Sequence, residues 1–255
     1  MDALRIVELL RPFLEIPESA GPVVLSAAQL EDISMYIDIL LRWNARVNLT
    51  AVRRPEDIVT RHFGESLFAA RHLFPAEARG VSEPELAPPV GHADLAIGAP
   101  DAQLTRPANA PRVFDIGSGA GFPGLPIRIW ATNIELTLIE SNHKKATFLR
   151  EVVRAMAVAN VHVFAGRAEE LAKSSAPGAD VVTLRAVERL ESVLPVAASL
   201  VRPGGRLALL IGESQVRRAG DLTGNFEWDA PAKVPLSDAR ALLVGRKTQK
   251  LDEPA

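Results

Sequence analysis

The strongest constraint on this chain is a loop with glycine at every second position. Asp115-Ile-Gly117-Ser-Gly119-Ala-Gly121 follows directly on the apolar run Arg112-Val-Phe-Asp-Ile116. Glycine adopts positive φ and has no Cβ to clash, so a strand that ends this way and turns into a helix brings bare backbone up to a ligand. Three alternating glycines behind an acid are more than a tight turn requires. Downstream the pattern alternates. Glu135 to Ile139, Val161 to Phe164, Asp180 to Leu184 and Arg206 to Ile211 read as strands. Helices are predicted from about Lys144 to Met156 and around Glu191 to Leu200, with Pro203-Gly-Gly205 as a turn. Phe226 to Val234 and Ala241 to Gly245 supply a closing antiparallel pair. Such alternation implies an α/β, Rossmann-like fold, a mostly parallel sheet with helices on both faces.

The ligand is read from what surrounds the glycines. Gly119-Ala-Gly121-Phe-Pro-Gly124 also fits the G-x-G-x-x-G dinucleotide fingerprint. Two features oppose a dinucleotide. Asp115 puts a carboxylate at the head of the loop, which repels a pyrophosphate but suits a ligand with an ammonium and a sulfonium, such as S-adenosylmethionine. Pro123 and Pro126 remove N–H donors where a helix N-terminus would otherwise bind phosphate. Glu140, 25 residues beyond Asp115 and at the end of the second strand, is placed to accept both ribose hydroxyls. After the third strand, the Ala168 N–H and the Glu169 side chain are candidates for an adenine edge. Arg185 ends the fourth strand, at the carboxyl edge where such sheets place reactive groups.

The rest of the chain divides by composition into a helical extension over 1–74, an insertion over 75–111 and the Rossmann-like domain over 112–250. Ser26-Ala-Ala-Gln29 has the spacing of a capping box, and a further helix is predicted to start at Pro55. In 75–111, 19 of 37 residues are Pro, Ala or Gly, a composition that resists both helix and strand. The chain has no cysteine, which excludes disulfides, thiolate metal sites and the thiolate addition used to methylate cytosine C5. No metal site is expected. With neither a membrane-length apolar run nor a signal-peptide pattern, the expectation is a cytoplasmic monomer. The net charge of −2 confines any nucleic-acid surface to a local patch. Between 42 and 72, Arg42, Arg46, Arg53, Arg54, Arg61 and Arg71 outnumber Glu56, Asp57 and Glu65, with His62 and His72 among them. A second basic group comprises Arg217, Arg218, Arg246, Lys247 and Lys250.

Four segments together resemble a known family. They are Arg42-Trp-Asn-Ala-Arg-Val-Asn-Leu-Thr50, Arg61-His-Phe-Gly-Glu-Ser66, the glycine loop through Phe122-Pro-Gly-Leu-Pro126, and Thr183-Leu-Arg-Ala186. The set is similar to the RsmG (GidB) family, the bacterial 16S ribosomal RNA guanine-N7 methyltransferases. The resemblance implies the methyltransferase version of the Rossmann-like fold, S-adenosylmethionine as cofactor, and 16S rRNA or the small ribosomal subunit as substrate. It implies ligand contacts at Gly117, Phe122, Ala168, Glu169 and Arg185, with Arg167 near the substrate. On this reading Arg185 and Arg167 orient cofactor or guanine without transferring protons, while Arg53, Arg54, Arg61 and His62 meet RNA. The sequence departs from the family pattern at Glu65, where aspartate is usual, at Ile211, where a lysine precedes glycine, and in the insertion. Where amine methylases carry Asn/Asp-Pro-Pro-aromatic, this chain reads Leu184-Arg-Ala-Val-Glu188, which disfavours an amine acceptor. A small-molecule methyltransferase and a non-catalytic nucleoside-binding module are the rival readings.

Overall fold

A computed structural model describes residues 1–15, 24–75, 110–174, 177–186 and 189–249. Most of the insertion, and Lys250, lie outside the described residues.

The N-terminal region is helical, as its periodicity predicts. α1 (Ala3–Leu14) buries Ile6, Leu10, Phe13 and Leu14. α2 (Ala27–Asn44) starts at Ser26, whose Oγ accepts the Gln29 N–H while Gln29 Oε1 accepts the Ser26 N–H. This reciprocal cap satisfies two otherwise orphaned donors. α3 (Pro55–Ile58) begins on proline with Glu56 and Asp57 in its first turn, where they favour the helix dipole. It runs through a π-helical stretch, Val59–Gly64, into α4 (Glu65–Leu73). The widened turn falls on Arg61 and His62.

The remaining elements are β1 (Arg112–Ile116), α5 (Gly124–Trp130), β2 (Glu135–Ile139), α6 (His143–Ala155), β3 (Val161–Phe164), α7 (Ala168–Lys173) and β4 (Ala179–Arg185). They are followed by α8 (Leu190–Leu200), β5 (Val201–Gly212), α9 (Glu213–Leu222), β6 (Phe226–Trp228), β7 (Ala232–Lys233) and β8 (Arg240–Lys247). The sheet runs β3-β2-β1-β4-β5-β8-β6, with β7 also on β8. β1 to β5 pair in parallel, and β8 is antiparallel to β5, β6 and β7. The strand order reverses between β1 and β4, the crevice where open α/β sheets bind ligands.

Two local expectations are corrected. Pro203-Gly-Gly205 is not a turn ahead of a strand but part of a bulge within β5: the register with β4 passes from Ala179↔Val201 to Val181↔Arg206. α9 was not predicted: its apolar stripe is short, Val216, Ala219 and Leu222, among charged and polar residues, and only Ala219 is fully buried.

Alternate residues of β4 and β5 feed two different cores, as the period of a strand requires. Val181, Ala208 and Leu210 join Ile6, Phe13, Tyr36, Phe63, Leu67 and Phe148 on one face. Val182, Leu184, Leu207 and Leu209 join Leu194, Ala197 and Ala219 on the other. The N-terminal helices are therefore one layer of a shared core, continuous with the sheet they cover. Among the described residues, no helix is long and apolar enough to cross a membrane.

Candidate active site

The glycine loop leaves β1 with its first two amides already engaged. Gly117 and Ser118 N–H both donate to the Ile139 carbonyl, at 2.9 and 3.1 Å. Gly117, Gly119 and Gly121 have φ of +68°, +56° and +86°. A Cβ built on Gly117 would meet nothing within 4 Å, so this glycine borders open space. One on Gly121 would strike the Tyr36 hydroxyl and come within 2.8 Å of Leu125 Cδ1, so that glycine permits packing. The buried Tyr36 hydroxyl donates to the Ala120 carbonyl. Burial raises its pKa well above the usual phenol value, which keeps the donor protonated.

Asp115 lies beneath the loop, fully buried. Its Oδ1 accepts from the Thr183 hydroxyl at 2.8 Å and its Oδ2 from the Gly124 N–H at 3.2 Å. Burial pushes the carboxyl up to about 6, against the hydrogen bonds that favour its charge. Asp115 thus ties β1 to β4 and to the start of α5. Glu140 holds the loop from the other side, accepting from Gly119 N–H at 2.9 Å and Asn142 N–H at 2.7 Å. Each of its oxygens keeps a second lone pair for a hydroxyl.

Outside this loop is an open cavity of about 300 Å³. Ile116, Ile139, Val193 and Val196 give it apolar walls, and Gly117, Arg167, Ala168 and Glu169 complete it. Of the residues expected at a cofactor, Gly117, Ala168 and Glu169 line this cavity. Asp115, Gly119, Gly121, Phe122 and Glu140 shape or support the loop beside it. Arg185 is not on its lining, and Arg167 is. The two arginines do not converge: β3 and β4 are three strand spacings apart, roughly 14 Å.

Arg185 belongs to a second constellation. Its side chain is 8% exposed, and Nη2 donates to the Arg61 carbonyl, to His62 Nδ1 at 3.0 Å and to Glu65 Oε2 at 3.0 Å. Its Nε is buried with no partner among the described residues. The same Glu65 oxygen accepts Arg240 Nη1 at 2.6 Å. Because Arg185 only donates, His62 Nδ1 must be the acceptor, which puts the ring proton on Nε2, 2.8 Å from Thr50 Oγ1. Burial, followed by the charges of Arg185 and Arg61, pushes the His62 pKa down to about 3. His62 is therefore neutral and stacks on Phe122 at 4.8 Å, which does not suit it to grip phosphate. Phe122 in turn stacks on Tyr36 at 5.3 Å and meets the edge of Phe63 at 5.2 Å. It anchors the loop tail to the helical layer.

The basic stretch survives in part. Arg42, Arg46, Arg53, Arg54 and Arg61 are exposed, whereas Arg71 is buried. The second basic group is split. Arg217 and Arg218 are exposed on α9, but Lys247 Nζ donates to the Ala198 and Val201 carbonyls at the far edge of the sheet.

The model of the rRNA small subunit methyltransferase G family matches residues 29–81 and 102–230. The chain belongs to this family. The ribosomal RNA small subunit methyltransferase G of Xanthomonas axonopodis pv. citri is 34% identical over 229 residues, 88% of this chain and 89% of that protein. The protein of the same name from Chloroflexus aggregans is 32% identical over 235 residues, 89% of this chain and 85% of its own. Against that background, Ile211 is 2% exposed, inside the second core, and supplies no cation. Arg240 pairs with the next residue, Gly212, across β5 and β8. Glu65 and Arg240 are the site residues that sequence reasoning missed. For Glu65 the available signals were an acid among arginines and the departure from the family's aspartate; for Arg240 there was none.

Proposed function

We propose that this protein, acting as a cytoplasmic monomer, transfers the methyl group of S-adenosylmethionine to N7 of a guanine in the decoding-region loop of 16S rRNA. The observation that carries this reading is the cavity at the carboxyl ends of β1 to β3, beside the strand-order reversal, in a chain that belongs to the rRNA small subunit methyltransferase G family. The residues fit the cofactor. Bare backbone at Gly117 leaves room for it, Glu140 keeps acceptor capacity for ribose hydroxyls, and Ala168 and Glu169 offer a donor and an acceptor to a base edge.

S-adenosylmethionine supplies an electrophilic methyl group on a sulfonium. Guanine N7 presents an in-plane lone pair and loses no proton on attack, so the site needs alignment and exclusion of water more than a general base. A neutral His62, held at both ring nitrogens, is consistent with chemistry that moves no proton. The Arg61 carbonyl accepts from Arg185, and the exposed Arg53, Arg54 and Arg61 would meet RNA phosphates and make binding fall steeply with salt.

The test is methyl transfer from labelled S-adenosylmethionine to assembled small subunits, naked 16S rRNA and free nucleotides, with mass spectrometry of the product nucleosides. The expected product is N7-methylguanosine in RNA. Transfer to small molecules alone, or modification of a different atom, overturns the reading.

A further inference from the structure

A second cavity, of about 400 Å³, opens at the same edge of the sheet and has no part in the cofactor site. It is lined by Ala186, Leu210, Gly212, Gln215 and Arg240. In the strand order the first cavity lies over β3, β2 and β1, and the second over β4, β5 and β8. Arg185, at the end of β4, stands between them, and Ala186 follows it into the second. Ala186 holds φ +52°, a conformation that L-residues seldom adopt, and its N–H donates to the Leu210 carbonyl at 3.3 Å. Backbone held in such a conformation is retained where the surroundings enforce it, often at ligand sites.

The charges at this place are built in. Glu65, itself 4% exposed, fixes Arg240 and the buried Arg185 through one oxygen. Arg240 spends Nη1 on that contact and keeps further donors, with its side chain 35% exposed at the cavity. A buried and a half-buried cation held by one carboxylate from another layer, the buried one with no partner for its Nε among the described residues, exceed what the fold alone needs.

We infer that this second cavity receives the target guanine, extruded from RNA, with Arg240 donating to its O6 and Glu65 acting as the positioning residue for both arginines. The inference rests on the RNA-methylating reading above. The chemistry follows from the base. The outer edge of guanine shows two acceptors, O6 and N7, whereas adenine shows an amine donor in place of O6. An arginine on O6 fixes the ring while leaving N7 free towards the first cavity, and it opposes an amine at that place. Leu210 and Ala186 offer apolar contact to the ring. Arg240, opposite Gly212, also places a cation beside the position where the family pattern has its lysine.

Gly212 gives a direct test. Its φ of −69° and ψ of 146° suit any residue, and a Cβ there would have no neighbour nearer than 3.7 Å. Gly212→Leu should fold, bind S-adenosylhomocysteine within twofold of the unsubstituted protein, and lose methyl transfer to small subunits by roughly tenfold or more. Arg240→Ala is then compared on subunits reconstituted with inosine or 2,6-diaminopurine at the modified position. The unsubstituted protein should prefer inosine, which keeps O6, by about tenfold or more, and Arg240→Ala should erase that preference. Wild-type turnover in Gly212→Leu overturns the subsite. An inosine preference that persists in Arg240→Ala overturns the role of Arg240. No transfer to RNA by the unsubstituted protein overturns the proposed function, and the subsite with it.

Discussion

The two halves of the sheet's carboxyl edge are built by opposite means. Over β1 to β3, the loop that borders the cavity is held through backbone: glycines at positive φ, amides on the Ile139 carbonyl, and two acids that accept backbone N–H groups. The partners are near in sequence, 9 residues apart for Asp115 and Gly124 and 21 for Glu140 and Gly119. Over β4 to β8, the site is made of charged side chains from distant segments. Arg185 and Glu65 are 120 residues apart, and Arg240 and Glu65 are 175 apart. A backbone site is fixed once its strand and turn form. A side-chain site exists only after the helical layer has docked on the sheet, so it should be the first to fail when that docking is disturbed.

The sharpest way to break this comparison is Glu65→Ala. It leaves Arg185 buried with no carboxylate, and removing one partner of a buried pair costs about 3–5 kcal/mol. Urea denaturation should show that loss, together with reduced methyl transfer. A loss below about 1 kcal/mol would be typical of a solvated surface pair and would mean that the second half is not held as described.

The glycine loop should split the two roles of its residues. Gly121→Ala adds strain at positive φ and a steric collision with Tyr36 and Leu125, and should cost about 2–4 kcal/mol in stability. Gly117→Ala meets open space, so it should cost only about 1–2 kcal/mol, yet weaken S-adenosylhomocysteine binding by at least about tenfold in calorimetry. Equal stability losses with unchanged binding would remove Gly117 from the cofactor site.

The same contrast explains what could be read from the chain in advance. The parallel strands and the glycine turn were legible because period and turn chemistry are local properties of sequence. The capping box at Ser26 was legible for the same reason, and the structure forms it. By sequence His62 groups with the RNA-contacting residues because its neighbours are arginines. Only the fold shows Arg185 and Phe122 closing over it and pushing its proton off. The partners of Arg185 could not be named from the sequence, since nothing local links a strand end to a helix in another layer. Arg240 sits in Ser-Asp-Ala-Arg240, a stretch with no pattern at all, and only the antiparallel register with Gly212 brings it to the site. α9 escaped because its stripe is short, Val216, Ala219 and Leu222, set among charged and polar residues.

Asp115 offers the finest test, because it belongs to the backbone-built half and yet carries a charge. Its pKa is raised from 3.8 to about 6, so the folded state binds the proton more tightly than the unfolded chain. The contribution of this group to stability is therefore complete below pH about 4 and is lost as pH rises through about 6. Asp115→Asn removes the titration while keeping the geometry. The amide oxygen can accept from Gly124, and the amide N–H can donate to Thr183, whose hydroxyl can turn towards the Phe114 carbonyl 3.4 Å away. Denaturation curves of the two proteins should thus coincide most nearly near pH 4. They should separate in favour of Asn by up to about 3 kcal/mol as the pH rises through about 6, and run parallel above it. If the carboxylate also attracts the sulfonium from beneath the loop, Asp115→Asn should bind S-adenosylmethionine several-fold more weakly at pH 8 while binding the neutral thioether S-adenosylhomocysteine almost unchanged. Equal losses for both ligands would assign Asp115 to holding the loop alone, and the charge argument that favours S-adenosylmethionine over a dinucleotide would then pass to Glu140.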